Sequence, residues 1–197
     1  MQIAIVQFAK IGRGALEKSS EGAAGPADPR AGLTPSFVAK SGLDLLYAEI
    51  PVRQGRALLT IAGRNGNSVT WLSADKISLT FERDQLIATR GFGEDLMGAN
   101  PGPVLSQIGQ FTRDLVYLDG ESQPFSVRYR CTRSLGARDT TRILGQSLEY
   151  IEIIEACKSA ASEYTNLYFR SNSGKILQSK QWISPEIGYV VIENLNN

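Results

Sequence analysis

Histidine is missing from all 197 residues. Its absence removes the imidazole base of a Ser-His-Asp triad, the Cys-His pair and every histidine metal site. Two cysteines fall short of the thiolates that a structural zinc site or an iron–sulfur cluster needs, so no metal is expected. No stretch supplies the roughly 18 uninterrupted apolar residues of a membrane-spanning helix. A net charge of +1 exerts no strong pull toward nucleic acid or an anionic membrane surface. There is no Walker-type loop, and Gly91-Phe-Gly93 lacks the third glycine and the following helix of a dinucleotide loop, so no cofactor is expected. What remains for chemistry is carboxylates, lysine, tyrosine and serine.

What is present suffices for a core: 42% of the residues are hydrophobic and 21% charged, ordinary for a globular chain. The length corresponds to one domain, or one domain with an appendage. Ile3, Val6, Phe8 and Ile11 are spaced loosely as in a short amphipathic helix reaching about Lys18. The run Met1–Ala9 has no basic n-region, is interrupted by Gln7, and is followed by no lipid-accepting cysteine, so it does not read as a signal peptide. Ser19 to Leu33 has the composition of a linker. Thr34-Pro35 reads as a capped helix start, with Gly42 at its end. Residues 1–44 are therefore expected to form a helical segment and tether, and 45–197 a β-domain.

From Leu46 the texture changes to short alternating runs. Leu46–Val52, Arg56–Gly63, Ser68–Leu72, Ile77–Phe81 and Leu86–Thr89 read as strands, with Asn65-Gly66-Asn67 and Asp84-Gln85 as hairpin turns. Gly91 to Gly109 has little strand character, and Pro103–Gly109 suggests a helical turn or two. Phe111–Leu118, Phe125–Cys131, Thr141–Gly145, Glu149–Cys157, Tyr164–Arg170, Lys175–Ile183 and Gly188–Asn194 restore the pattern. The expected fold is mainly β: an antiparallel sandwich or partly open barrel of about ten strands, with short N-terminal helices.

Three constellations could carry function. In Arg90-Gly-Phe-Gly-Glu-Asp-Leu-Met97 the glycines suit positive φ in a sharp turn, and Arg90 is placed to bond Asp95 or nearby carbonyls. The bland reading of Arg90, Glu94 and Asp95 is a braced corner; the sharper one is a polar site for an anionic or sugar ligand. Glu94 and Asp95 make a poor catalytic pair, because glycoside chemistry needs carboxyls that face each other across a sugar. Gln181, Trp182 and Tyr189, with Trp71 and Asp75, offer polar and aromatic groups for sugar stacking, although tryptophan in a β-domain usually fills the core. Cys131 and Cys157 are either buried free thiols or one disulfide. Their even count and strand placement favour the disulfide, which implies an oxidising compartment.

Taken in order, the motifs resemble a known family. Trp71-Leu-Ser-Ala-Asp75, Ala88–Met97, Tyr117-Leu-Asp-Gly120, Cys131, Glu155-Ala-Cys157, Thr165-Asn-Leu-Tyr168, Gly174-Lys-Ile and Ser179–Tyr189 are similar to those of the YjbF/GfcB family, the group 4 capsule polysaccharide lipoproteins. The resemblance runs from about Leu46 to Leu195. It implies a predominantly β lipoprotein on the periplasmic face of the outer membrane, accessory to capsule or exopolysaccharide export, and it brings no catalytic residues. It also strengthens the Cys131–Cys157 pairing. The departure is at the front, where neither signal peptide nor lipobox stands, so a lipid anchor is not carried by this chain. The expected function is non-enzymatic, with polysaccharide or export-machinery proteins as partners. The alternative is a polysaccharide hydrolase or lyase using carboxylates around Asp95.

Overall fold

A computed structural model describes residues 28–196; the helix expected within residues 1–18 lies outside them. The described chain contains one short helix, α1 (Pro35–Ser41), a single 3-10 turn at Pro51–Arg53, and twelve strands. These are β1 (Leu45–Ile50), β2 (Gly55–Asn65), β3 (Ser68–Ser73), β4 (Ser78–Glu82), β5 (Gln85–Arg90) and β6 (Gly98–Ala99), followed by β7 (Gly109–Leu118), β8 (Pro124–Ile143), β9 (Gln146–Lys158), β10 (Glu163–Arg170), β11 (Ile176–Ser184) and β12 (Gly188–Asn194). The helix starts as its sequence dictates: the Thr34 hydroxyl accepts the Phe37 N–H at 3.1 Å, Pro35 occupies the first turn, and Gly42 leaves it in the left-handed conformation.

All twelve strands join one antiparallel sheet in the order β5-β4-β3-β2-β1-β12-β11-β10-β9-β8-β7-β6. The two end strands are consecutive in sequence, and the segment between them closes most of the gap. The Thr89 N–H donates to Leu96 O and the Met97 N–H to Val116 O, both at 2.9 Å. The result is a nearly closed barrel, a form that leaves little unpaired strand edge.

Alternation decides what faces inward. On β7, Arg113, Leu115 and Tyr117 are buried while the residues between them are not; on β8 the buried series is Tyr129, Cys131, Arg133. The interior is a cluster that includes Leu46, Leu59, Leu79, Phe81, Leu115, Ile183 and Val190. Tyr47, Tyr150 and Leu177 form a second cluster, against which α1 packs Val38. Strands β1, β11 and β12 are consequently covered on both faces.

Two strand expectations need correction. Phe125–Cys131 and Thr141–Gly145 are not separate strands but parts of the 20-residue β8, which passes Gly136 by a register shift between Leu135 and Arg138 against β9. A Cβ on Gly136 would collide with the Glu152 side chain, so this glycine admits a close approach of the two strands. Between Gly91 and Gly109 no helix forms. That segment holds the two-residue β6 and a single turn closed by the Gln107 N–H to Val104 O at 2.9 Å.

Candidate functional site

A layer of buried polar side chains crosses the barrel. Glu155 of β9, fully buried, accepts from Arg113 Nη1 at 3.0 Å, from Arg133 Nη2 at 2.5 Å and from Asn166 Nδ2 at 3.0 Å. Two guanidiniums against one carboxylate leave a surplus cation in the interior; backbone carbonyls and Gln85 Oε1 take up further Nη donors, while the Nε of both arginines is buried without a hydrogen-bond partner among the described residues. Arg113 Nη2 donates to Leu86 O at 3.0 Å, and Arg133 Nη1 to Pro103 O and Val104 O, each at 2.9 Å. The Arg133 guanidinium also lies over the Phe111 ring, 4.7 Å from its centroid. Gln85 completes the layer by holding the loop after β6: its amide donates to Gly102 O at 3.2 Å and accepts the Gly102 N–H at 3.1 Å. Breaking such a triad strands a buried charge, which costs about 3–5 kcal/mol.

Gln181 extends this layer to the site. Its Oε1 accepts the Leu86 N–H at 2.7 Å and the Tyr168 hydroxyl at 3.3 Å, while its Nε2 donates to Asp84 O at 2.9 Å and to Ser179 Oγ at 3.0 Å. The β4–β5 hairpin is thus pinned across the interior to β11. The hairpin turn is Arg83-Asp84, one residue earlier than the sequence suggests, and both residues have positive φ, 50° and 64°. Turns of that geometry favour Asn-Gly; a non-glycine pair there carries backbone strain of the kind that accumulates at functional positions.

This turn places Asp84 at the rim of a cleft of about 280 Å³ in the barrel mouth. Trp71 and Phe81 form an aromatic wall, Leu46, Ile61 and Ile192 an apolar floor, and Asp44, Arg64, Lys175 and Asn194 contribute to the polar surround. Asp84 keeps access to solvent, yet the surrounding cleft desolvates its carboxyl and raises its pKa above the ordinary aspartate value, opposed by the Lys175 charge. The half-buried Trp71 next to interspersed carboxylate, ammonium and amide groups suits a polyhydroxylated ligand: apolar C–H faces stack and hydroxyls find both donors and acceptors.

The structure does not bring the expected site residues together in one place. Trp71 alone lines the mouth cleft. Arg90, Glu94 and Asp95 build the corner that joins β5 to β6. Asp95 accepts from Thr89 Oγ1 at 2.7 Å, from the Gly91 N–H at 3.0 Å and from the Phe92 N–H at 3.3 Å. Arg90 reaches the carbonyls of Thr89, Leu96 and Met97 rather than Asp95. Gly91 and Gly93 have φ of 101° and 89°. Glu94 is exposed, and its carbonyl accepts from Ser184 Oγ at 2.9 Å. Asp75 takes a hydrogen bond from Ser73 in the β3–β4 turn and, with Gly91 and Phe92, lines a separate apolar groove of about 200 Å³.

Trp182 stacks parallel to Tyr164 at 5.7 Å and meets the Tyr189 ring edge-on at 5.1 Å, away from the residues of the mouth cleft. The Tyr189 hydroxyl accepts the Thr165 N–H at 3.1 Å, and its ring carries the Lys180 ammonium at 4.4 Å. Cys131 and Cys157 are cross-strand partners on β8 and β9 and form a disulfide. Among the described residues no three Asp, Glu or Cys side chains are grouped to hold a metal ion. The sequence reading missed the Arg113–Glu155–Arg133 layer and the cleft residues Asp84, Lys175 and Arg64. Its available signal was charge on the inward parity of apolar strands, as in Glu155 between Ile153 and Cys157.

Comparisons with known proteins agree with this architecture. The family described as group 4 capsule polysaccharide lipoprotein GfcB, YjbF matches residues 14–195. No curated protein sequence matches the chain. A solved structure similar in fold is that of the hypothetical lipoprotein YmcC from Escherichia coli (K12), with a TM-score of 0.73 at 17% identity, covering 84% of this chain and 89% of that one.

Proposed function

Because the chain belongs to the group 4 capsule polysaccharide lipoprotein family, YjbF/GfcB, we propose that it is a non-enzymatic accessory of capsule or exopolysaccharide export that holds glycan in the barrel mouth. In this reading it works on the periplasmic face of the outer membrane, with residues 1–44 linking it to the membrane. The last part of that segment, from Asp28, is docked on the barrel through Arg30 and Val38.

The observation that carries the proposal is the cleft itself, in which Trp71 stands beside a rim of both charge signs, Asp44, Asp84, Arg64 and Lys175. Its test is titration of the purified protein with oligosaccharides cut from the producing cell's own exopolysaccharide. Trp71→Ala is expected to weaken binding about tenfold, the loss of one stacked ring. Equal affinity of the variant would exclude the mouth as the site.

A second reading rests on the two carboxyls that share the cleft, Asp44 and Asp84, the latter with a raised pKa. It makes the protein a hydrolase or lyase. Polymer length after incubation separates the two: unchanged chains support the binder, and shortening that Asp84→Asn abolishes supports the enzyme.

A further inference from the structure

Strand β8 is 20 residues long, and β7 covers only its first half: that ladder ends with Gly109 opposite Arg133. Before Gly109 the chain does not follow β8 but turns inward over the barrel, where the carbonyls of Pro103 and Val104 accept from Arg133. Ser134–Ile143 therefore has β9 on one side and no strand on the other among the described residues, an open edge of about 30 Å. The hairpin turn sets which backbone groups point into it. Leu144 and Gly145, both with positive φ, form a two-residue loop, which makes Ile143 and Gln146 a hydrogen-bonded pair. Asp139, Thr141 and Ile143 then bond to β9, while Arg138, Thr140 and Arg142 turn their N–H and C=O groups away from it. Thr140 shows this parity directly, since its N–H goes to the Asp139 carboxylate at 2.8 Å.

The side chains along the edge give it a sign. Thr141 and Ile143 point onto β11 and the second cluster, so Arg138, Thr140 and Arg142 share the opposite face, the two arginines about 13 Å apart. Arg138 lies in one row with Ile151 of β9 and Arg170 of β10. None of these three guanidiniums has an ion pair among the described residues. The carboxylate in these rows is Glu149, opposite Thr140, and it accepts from Asn172 Nδ2 at 3.4 Å. Beyond the register shift Leu135 ends the series on the same face, 54% exposed. A second copy pairing edge to edge about Thr140 would set Arg138 against Arg142 at both ends, and like charges directly opposite are destabilising. An acidic strand meets the reverse: each carboxylate lies across from a guanidinium whose planar fork suits it.

We propose that the open edge of β8 docks an extended acidic segment of a partner protein, added antiparallel as the strand that β7 does not supply. The register defines that segment from its N-terminus onward. An acidic residue stands opposite Arg142, a second one four positions later opposite Arg138, and an apolar residue two further on, opposite Leu135. The inference goes beyond the glycan reading and does not depend on an occupied mouth cleft. Its probe is the capped nonapeptide Thr-Glu-Thr-Thr-Thr-Glu-Thr-Val-Thr, with a control in which lysine replaces both glutamates. Hydrogen exchange of the full chain is read amide by amide with and without each peptide.

The acidic peptide is expected to slow exchange at Arg138, Thr140 and Arg142, in alternation with Asp139 and Thr141, whose amides β9 already holds. Arg138→Ala and Arg142→Ala are each expected to weaken it about two- to fivefold, the size of one solvated ion pair. Both arginines are exposed, so these variants keep the fold. Thr140→Pro removes an edge-facing N–H and no bond to β9, a position where a sheet accepts proline; it is expected to abolish the protection at an unchanged melting temperature. No protection at the highest soluble peptide concentration, or protection without the alternation, overturns the docked strand. Equal affinity for the lysine peptide overturns its acidic character. Binding that needs the arginines but survives Thr140→Pro makes the face a patch for any anionic polymer and overturns strand addition. Protection of the same amides without peptide, rising with protein concentration, gives the edge to a second copy and likewise overturns it.

Discussion

Glu155 is the residue on which the interior turns. Its carboxylate neutralises one of two buried guanidiniums, and the other is carried by backbone carbonyls, an arrangement that tolerates no loss of the anion. Glu155→Gln keeps the shape and removes the charge, leaving Arg113 and Arg133 facing each other without a counterion. The expected loss is about 3–5 kcal/mol, read from urea denaturation midpoints at constant slope. Adding Arg133→Met to Glu155→Gln should recover part of that loss, because the second substitution removes a charge already stranded. Additive losses would show that the two side chains act independently. The layer was legible only as an anomaly: Arg113 and Glu155 occupy strand positions whose neighbours two residues away are apolar, and alternation alone assigns such positions to the core. Sequence could not tell that three such anomalies, from strands β7, β8 and β9, meet in one ion cluster, since that depends on register.

Among the elements, the helix cap and the first hairpin were legible from local signals, whereas the continuity of β8 was not. The Thr34 cap, Pro35 and Gly42 of α1 and the Asn65-Gly66-Asn67 hairpin are local devices, and Gly66 does take a positive φ of 57°. The sequence divides β8 into Phe125–Cys131 and Thr141–Gly145, and what joins them, the close approach of Gly136 to Glu152, appears only once β8 and β9 are paired. This hairpin also carries the cross-link. Cys131 and Cys157 are 26 residues apart, and closing a loop of that length stabilises by about 3–4 kcal/mol in the chain-entropy model. Since the bond ties two strands that are already paired, reduction should lower the melting temperature of the protein without changing its far-ultraviolet circular dichroism below the transition. Loss of strand signal on reduction at low temperature would mean that the cross-link, rather than the ladder, holds these two strands.

At the scale of the whole molecule the decisive contact is the seam between the first and last strands of the sheet order. The family-like stretch ending at Met97, which drew notice in sequence as a possible charged pocket, is the clasp of that seam. Asp95 gathers the Thr89 hydroxyl and the Gly91 and Phe92 amides. Thr89 in turn receives the Leu96 amide at 3.0 Å, so one carboxylate fixes the path by which β5 hands over to β6. A Cβ on Gly91 would lie 2.8 Å from Ile77 Cδ1, which keeps the corner tight against the β3–β4 turn. Asp95→Ala leaves these donors without their acceptor and should destabilise by about 1–3 kcal/mol. A general loss of stability would speed amide exchange everywhere in proportion; a failed clasp would act locally. The expected pattern is faster exchange at Leu96 and Met97, the amides that close the seam, with the β9 and β10 amides nearly unchanged under conditions where exchange follows local opening. Uniform acceleration across the sheet would instead make the barrel a single cooperative unit in which Asp95 has no separate closing role.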